Sequence, residues 1–198
     1  MSETGRETDA YLLETARNAK QQKGLFGTSE AGIQAYEKVF EEILRRYEGL
    51  IYHIARRYFQ SPEDAMDASQ EAAIKIFNAL PRVTLPPDGN LKAWICTVTA
   101  RTCLDALRKR RPPTVELCEE IIPSTYPSAE DTAVANQRVQ EVVAAIKKLP
   151  EDHRMIIILR DMQGLSYEEI ADGLKISAGT VKSRLSRARA GLKLLLRD

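Results

Sequence analysis

From Lys175 to Arg197 every charged side chain is a cation, and small hydroxyls stand among them: Lys182, Ser183, Arg184, Ser186, Arg187, Arg189 and Lys193 follow one another closely. The chemistry on offer is charge and hydrogen bonding, aimed at phosphate oxygens and base edges. Residues of catalytic type are sparse elsewhere. His53 and His153 are single and unpaired, and no nucleophile constellation or carboxylate cluster with metal spacing stands out. Cys96, Cys103 and Cys118 are odd in number and lack C-x-x-C spacing, so buried or idle thiols are expected. Hence no enzyme, no metal and no cofactor is expected.

Two short elements must position those cations. Ser166 followed by Glu169 is a capping box that starts a helix at Tyr167, with Ile170, Ala171 and Leu174 on its apolar face. Gly173, Lys175 and Ile176 lead to a second cap at Ser177. The next helix begins near Ala178, and Val181, Leu185, Ala188, Leu192 and Leu195 recur at steps of four and three as one stripe to bury. Gly164 to Leu196 thus reads as a helix-turn-helix whose second helix presents a basic face to the major groove.

The 198 residues include 29 basic and 28 acidic side chains, a net charge of +1, so any attraction to nucleic acid must be local. Lys92 to Arg111 is basic, with Asp105 its one acid, whereas Pro112 to Asn136 carries Glu116, Glu119, Glu120, Glu130 and Asp131 without a cation. The longest strongly apolar run, Met155 to Leu159, is too short to span a bilayer, and no signal peptide is apparent. A cytoplasmic protein without membrane insertion is expected.

The periodicity predicts an all-α chain of two small helical domains. Residues 1–35 read as a flexible or partly helical extension, in which Tyr11, Leu12 and Leu13 offer little to bury. A first domain spans residues 36–111. Its long helix carries Ile33, Tyr36, Phe40, Ile43, Tyr47, Leu50, Ile54 and Tyr58 at steps of three and four. Ser61-Pro62-Glu63-Asp64 then opens a helix to about Leu80. Met66, Ser69, Ala73, Phe77 and Leu80 are expected inside, and Asp64, Asp67, Gln70, Glu71, Lys75 and Asn78 outside, where they are either solvated or a docking surface. After a proline-rich loop, Asn90 caps a helix from Leu91 to about Arg110, along which Trp94, Arg101 and Arg108 fall on one line. An aromatic on such a line is either core or a stacking platform for unpaired bases. Residues 112–128 read as an extended acidic linker. A second domain spans 129–198, opening on a helix capped by Ser128 with Val139, Val142, Val143 and Ile146 as its face, then a helix from Pro150 to about Met162.

These residues carry a family resemblance. LPEDHRMIIILRDMQGLSYEEIADGLKISAGTVKSRLSRARAGL is similar throughout to region four of the extracytoplasmic-function (ECF) sigma factors, specificity subunits of bacterial RNA polymerase. Phe40 to Leu44, Ser61 to Phe77 and Trp94 to Arg111, including DAMDASQEAAIKIF and LDALRKR, resemble region two. No region-three domain intervenes, as is typical of this class. The resemblance implies a promoter-specificity subunit that binds core, recognises minus-ten and minus-thirty-five elements, and promotes melting. It implies that Asp64, Asp67, Gln70, Glu71 and Lys75 meet the clamp helices of the largest polymerase subunit. Asn78, Asn90, Lys92, Trp94, Arg101, Arg108 and Lys109 would serve the minus-ten element. Gly179, Thr180, Lys182, Ser183, Arg184, Ser186, Arg187 and Arg189 would serve the minus-thirty-five element, Lys182 and Arg187 at guanines, Arg184 and Arg189 at phosphates. Further implied partners are the flap of the second-largest subunit and an anti-sigma factor, and the acidic linker would thread toward the active-site channel. Two features depart from the family: the N-terminal extension, and Arg101, where many members carry a small amide.

Two other classes stay open on the sequence. A stand-alone helix-turn-helix regulator would use Met1 to Arg111 as a sensor or dimerisation domain and bind DNA without core. An enzyme acting on nucleic acid would need a catalytic cluster that the chain does not display.

Overall fold

A computed structural model of the chain describes residues 8–21, 23–24, 27–84, 90–110 and 130–196. The expected acidic linker and the Ser128 cap lie outside the described residues, as does Cys118. Helix α1 (Asp9–Gln21) is followed by a minimal antiparallel pair, β1 (Lys23–Gly24) with β2 (Gly27–Thr28), in which Lys23 faces Thr28. All other regular structure among the described residues is helical. In the first domain Ser29 caps α2 (Glu30–Ala55), its hydroxyl accepting from the Gly32 amide at 3.1 Å. Ser61 caps α3 (Pro62–Ala79) in the same way through the Asp64 amide, with proline at the first helical position. A 3-10 turn, Leu80–Arg82, ends α3, and Asn90 caps α4 (Leu91–Arg110) by accepting from the Lys92 amide at 2.9 Å.

The N-terminal segment has more to bury than the sequence suggested. Ala16 and Ala19 extend the face begun by Leu12 and Leu13, and all four are buried against α2 and the 3-10 turn. Alanine contributes little area, but it lets helix backbones approach closely. Asp9 then accepts from the Tyr47 hydroxyl at 2.6 Å and pairs with Arg46, while Arg17 donates to the Val83 carbonyl at 2.7 Å. Residues 9–21 are therefore part of the first domain.

Helix α3 is also rotated from its expected setting. Ala65, Ala68, Ser69, Ala72 and Ile76 face inward, and Met66 is 48% exposed. The small residues win the inner position because α3 lies between α2 and α4, where close packing excludes a long side chain. Phe77 meets Phe40 edge-on and Tyr36 at a tilt, with ring centres 4.9 Å apart in each pair, in the core between α2 and α3.

In the second domain, α5 (Glu130–Lys148) leads through Pro150 into α6 (Glu151–Ile157), which widens into a π turn, Ile158–Met162. Gly164, at φ +76°, ends it, and the Arg160 guanidinium donates to the Leu165 carbonyl at 2.6 Å while lying over the Tyr167 ring. Helices α7 (Tyr167–Leu174) and α8 (Ala178–Leu195) follow, joined through Lys175 in the left-handed region at φ 58°. Ile146 and Leu149 are buried, but Val139 and Val142, expected on the same inner face of α5, are exposed. Of the α8 stripe, Val181, Leu185 and Ala188 are buried and Leu192 half-buried, while Leu195 is exposed because the helix runs past its partners.

A single core joins the domains. Ile54, Tyr58, Phe59, Ala93, Cys96, Ala100 and Leu104 of the first pack in one cluster with Ile146, Leu149, Ile170, Ala171 and Leu185 of the second. Helix α4 is accordingly buried on most of its circumference. Thr97, Thr99 and Thr102 survive there because each hydroxyl donates to the carbonyl four residues back, at 2.8–2.9 Å.

Candidate nucleic-acid and polymerase interfaces

The first turns of both α7 and α8 are fixed locally. Ser166 accepts from the Glu169 amide at 3.0 Å and the Glu169 carboxylate accepts from the Ser166 amide at 2.7 Å, the complete capping box. Ser177 accepts from the Thr180 amide at 3.1 Å and pairs with the Thr180 hydroxyl. With Val181, Leu185 and Ala188 turned inward, α8 exposes Gly179, Lys182, Ser183, Ser186, Arg187 and Arg189, and leaves Thr180 and Arg184 half-buried.

These residues do not stand alike. Ser183 donates back to the Thr180 carbonyl at 3.0 Å, Arg184 pairs with Asp152 at 2.9 Å, and Arg189 grips Asp161 through two nitrogens at 3.0 and 2.5 Å. Lys182 and Arg187 are tied to no carboxylate among the described residues. Exposed pairs of this kind are worth about 0–1 kcal/mol, so phosphate could displace either carboxylate cheaply.

On the first domain the candidates divide between two sides of α4. Trp94, Arg101 and Arg108 follow one line, and Lys92, two positions before Trp94, points the other way. Trp94 is half-buried against the α2–α3 core. Arg101 is exposed. Arg108 reaches Glu151 of the second domain at 2.7 Å, and the Lys92 ammonium donates to the Gln163 carbonyl at 3.3 Å. Asn78 and Asn90 are exposed, the latter with its side-chain oxygen committed to capping.

The polar face of α3 also divides. At its α4 side, Asp64 pairs with Arg110 at 2.6 Å, and Glu71 with Lys75 at 3.1 Å and Lys109 at 3.9 Å. Asp67 and Gln70 are exposed at the outer side between two apolar side chains that sequence reasoning missed, Met66 and the 61%-exposed Ile74. At helical spacing Met66, Asp67, Gln70, Glu71 and Ile74 share one sector. Such a mixture suits a protein surface better than bulk water. The signal was present in the two apolar residues, and the rotation of α3 concealed it.

Titration adds one buried cation. Lys147 at the end of α5 donates to the Phe59 carbonyl at 2.7 Å, and burial, then the charges of Arg56, Arg57 and Arg154, lower its pKa to about 8. Burial likewise pushes the Cys96 and Cys103 thiols up to about 12, so neither is a ready nucleophile. Among the described residues no His, Cys, Asp and Glu gather in a group suited to a metal, and no helix is long and apolar enough to cross a membrane.

Comparison with known proteins matches two separate stretches of the chain. A family model described as Sigma-70 region 2 matches residues 43–112, and one described as Sigma-70, region 4 matches residues 139–192. The chain is 33% identical over 167 residues to the ECF RNA polymerase sigma-E factor of Escherichia coli K12, covering 79% of this chain and 85% of that one. It is 32% identical over 158 residues to the ECF sigma factor SigM of Mycobacterium tuberculosis H37Rv, covering 79% and 76%. With SigE of Mycolicibacterium smegmatis the identity is 30% over 165 residues, which span 63% of that relative's length. Among solved structures, the sigma factor RpoE of Bartonella quintana in complex with the anti-sigma factor NepR superposes with a TM-score of 0.60 at 28% identity, covering 81% of this chain and 98% of that one. CnrH, solved with the cytosolic domain of CnrY, shares the fold at a TM-score of 0.61 and 22% identity, covering 93% and 96%.

Proposed function

Since the chain belongs to the ECF sigma factors, the promoter-specificity subunits of bacterial RNA polymerase, we propose a division of labour among its helices. Helix α8 reads the minus-thirty-five element from the major groove. Lys182 and Arg187 contact guanines, each worth about 1–3 kcal/mol of discrimination when bidentate. Gly179 admits close approach of backbone, Thr180, Ser183 and Ser186 add hydroxyls, and Arg184 and Arg189 exchange their carboxylates for phosphates. Helix α4 serves the minus-ten element. Arg101, Arg108 and Lys109 hold the backbone, Lys92, Asn78 and Asn90 flank the strand, and Trp94 stacks on an unpaired base. Extruding such a base costs a few kcal/mol, which these contacts offset.

The polar face of α3, Asp67, Gln70 and Glu71 with Met66 and Ile74 in its outer sector and Asp64 and Lys75 at its α4 side, docks on the clamp helices of the largest subunit. Exposed Val139, Val142 and Leu194–Leu196 give region four an apolar surface for the flap of the second-largest subunit. An anti-sigma factor is a further partner, supported by the complex in which RpoE was solved. The protein works in the cytoplasm, where the polymerase is, without cofactor or catalytic residues of its own.

The observation that carries this reading is the pairing, in one chain, of two basic helices on separate domains with an exposed mixed acidic and apolar sector on a third helix. The test is transcription in vitro with purified core on a genomic library, read by sequencing of start sites. Start sites sharing two upstream elements are expected. A chain that leaves core untouched and binds DNA tightly alone would instead be a stand-alone regulator.

A further inference from the structure

The minus-ten candidates Asn78, Asn90 and Trp94 come from the end of α3 and the start of α4, and a third element holds those ends together. Helix α3 runs into the 3-10 turn Leu80–Arg82, which stops at Val83, whose amide donates to the Leu80 carbonyl at 3.2 Å. Val83 is itself extended, so its own carbonyl has no partner in the turn. The Arg17 guanidinium of α1 donates to that carbonyl at 2.7 Å, across 66 positions of sequence.

Helix α1 is fixed at both ends. At its start Asp9 accepts from the Tyr47 hydroxyl at 2.6 Å and pairs with Arg46, both on α2. Arg17 reaches Val83 about 12 Å further along the helix axis. Leu12, Leu13, Ala16 and Ala19 are buried in one cluster with Leu80 and Val83, on one side of residues 85–89, and with Leu91 and Ile95 on the other. Trp94 packs against the same cluster, and the Tyr36 hydroxyl of α2 donates to the Phe77 carbonyl, next to Asn78. Apolar burial has no preferred direction and would hold α1 in place by itself. The Arg17 bond adds direction, because it fixes a main-chain atom at the edge of the minus-ten candidates.

Resting on the minus-ten reading of α3 and α4, we propose that α1 is a brace for base capture and that Arg17 is a positioning residue. It fixes the Val83 end of the α3 turn against the Leu91–Trp94 start of α4, and so sets the spacing at which Asn78 and Trp94 meet the opened strand. Groups that receive a reacting or stacking partner must be held within about 0.5 Å, which a tie to the main chain provides and a sliding apolar contact does not. The N-terminal segment thus acts on promoter choice without touching DNA.

The test uses the full chain with purified core polymerase, on a promoter found by the start-site sequencing above and on copies of it with each minus-ten base replaced in turn. Open complex is read by permanganate reactivity of unpaired thymines. Arg17 is otherwise exposed, so Arg17→Met removes the donors without opening the core, and Arg17→Lys returns a cation that can reach the carbonyl. Asp9→Ala loosens α1 at its other end and reports what lost stability does alone. Wild type should favour its best minus-ten sequence over one with the captured base replaced by roughly five- to hundredfold. Arg17→Met should flatten that preference by roughly three- to tenfold, with Arg17→Lys recovering most of it and Asp9→Ala flattening it less. Dependence on the minus-thirty-five element and co-purification with core should not change. An unaltered preference in Arg17→Met, or a flattening that merely follows melting temperature across Arg17→Met and Asp9→Ala, would overturn the brace. The two levels separate in the wild-type chain: no minus-ten preference there refutes the promoter reading, whereas a preference that Arg17→Met retains refutes only the brace.

Discussion

Arg184 and Arg187 stand three positions apart on α8 and differ in what holds them. Arg184 is half-buried and spends its charge on Asp152, while Arg187 projects from the exposed face and pairs with no carboxylate among the described residues. Arg187→Ala should therefore lower transcription from promoters with an intact minus-thirty-five element by roughly five- to hundredfold, the equivalent of about 1–3 kcal/mol. Core affinity should stay the same. Equal loss in both assays would remove that face from DNA recognition. Lys147 predicts a pH dependence of a different kind. Its pKa is lowered to about 8 while the two domains share a core and returns toward 10.5 when region two, with Arg56 and Arg57, moves away. The joined form binds fewer protons, so it is disfavoured below about pH 8 and strengthens as pH rises toward 10. Scattering at pH 7 and pH 9.5 should show the chain contracting, and Lys147→Met should abolish the difference.

Among the elements, what was legible in the sequence was what is decided within a few residues. The caps at Ser61, Asn90, Ser166 and Ser177 form as their spacing implies, because a hydroxyl or amide can reach only the next turn. Which face of a helix is buried depends on its neighbours, and there the reading from periodicity slipped. Tyr11, Leu12 and Leu13 looked too little to anchor α1 without Ala16 and Ala19, and Met66 looked apolar enough to be core, yet close helix packing rewards small residues and expels long ones. The candidate site inherits that error, since Met66 and Ile74 were left out of it although they flank the exposed Asp67 and Gln70. The corrected sector makes the prediction for α3 sharper. Asp67→Arg places a cation between two exposed apolar anchors and should weaken co-purification with core without lowering the melting temperature. Undiminished co-purification would leave the sector a merely solvated face.

At the scale of the whole molecule, sequence divided the chain into two domains correctly but gave no sign that they share a core. That contact joins residues on α4 to residues on α7 far along the chain, and its apolar components, Ala93, Cys96 and Ala100, are equally suited to packing within region two. A helix that is buried all round looks the same in sequence whether one domain or two supply the cover. The buried thiols turn this ambiguity to use. Cys96 feels Lys92 on its own helix and Glu169 on α7, whereas Cys103 lies toward Glu71 and Lys75 on α3. They stand seven residues apart on one face of α4, and both belong to the core that the domains share. The chain thus carries its own clock: with iodoacetamide followed by peptide mass spectrometry, the alkylation rates of Cys96 and Cys103 should rise together in Gly173→Ala, whose added methyl crowds Thr97 between them.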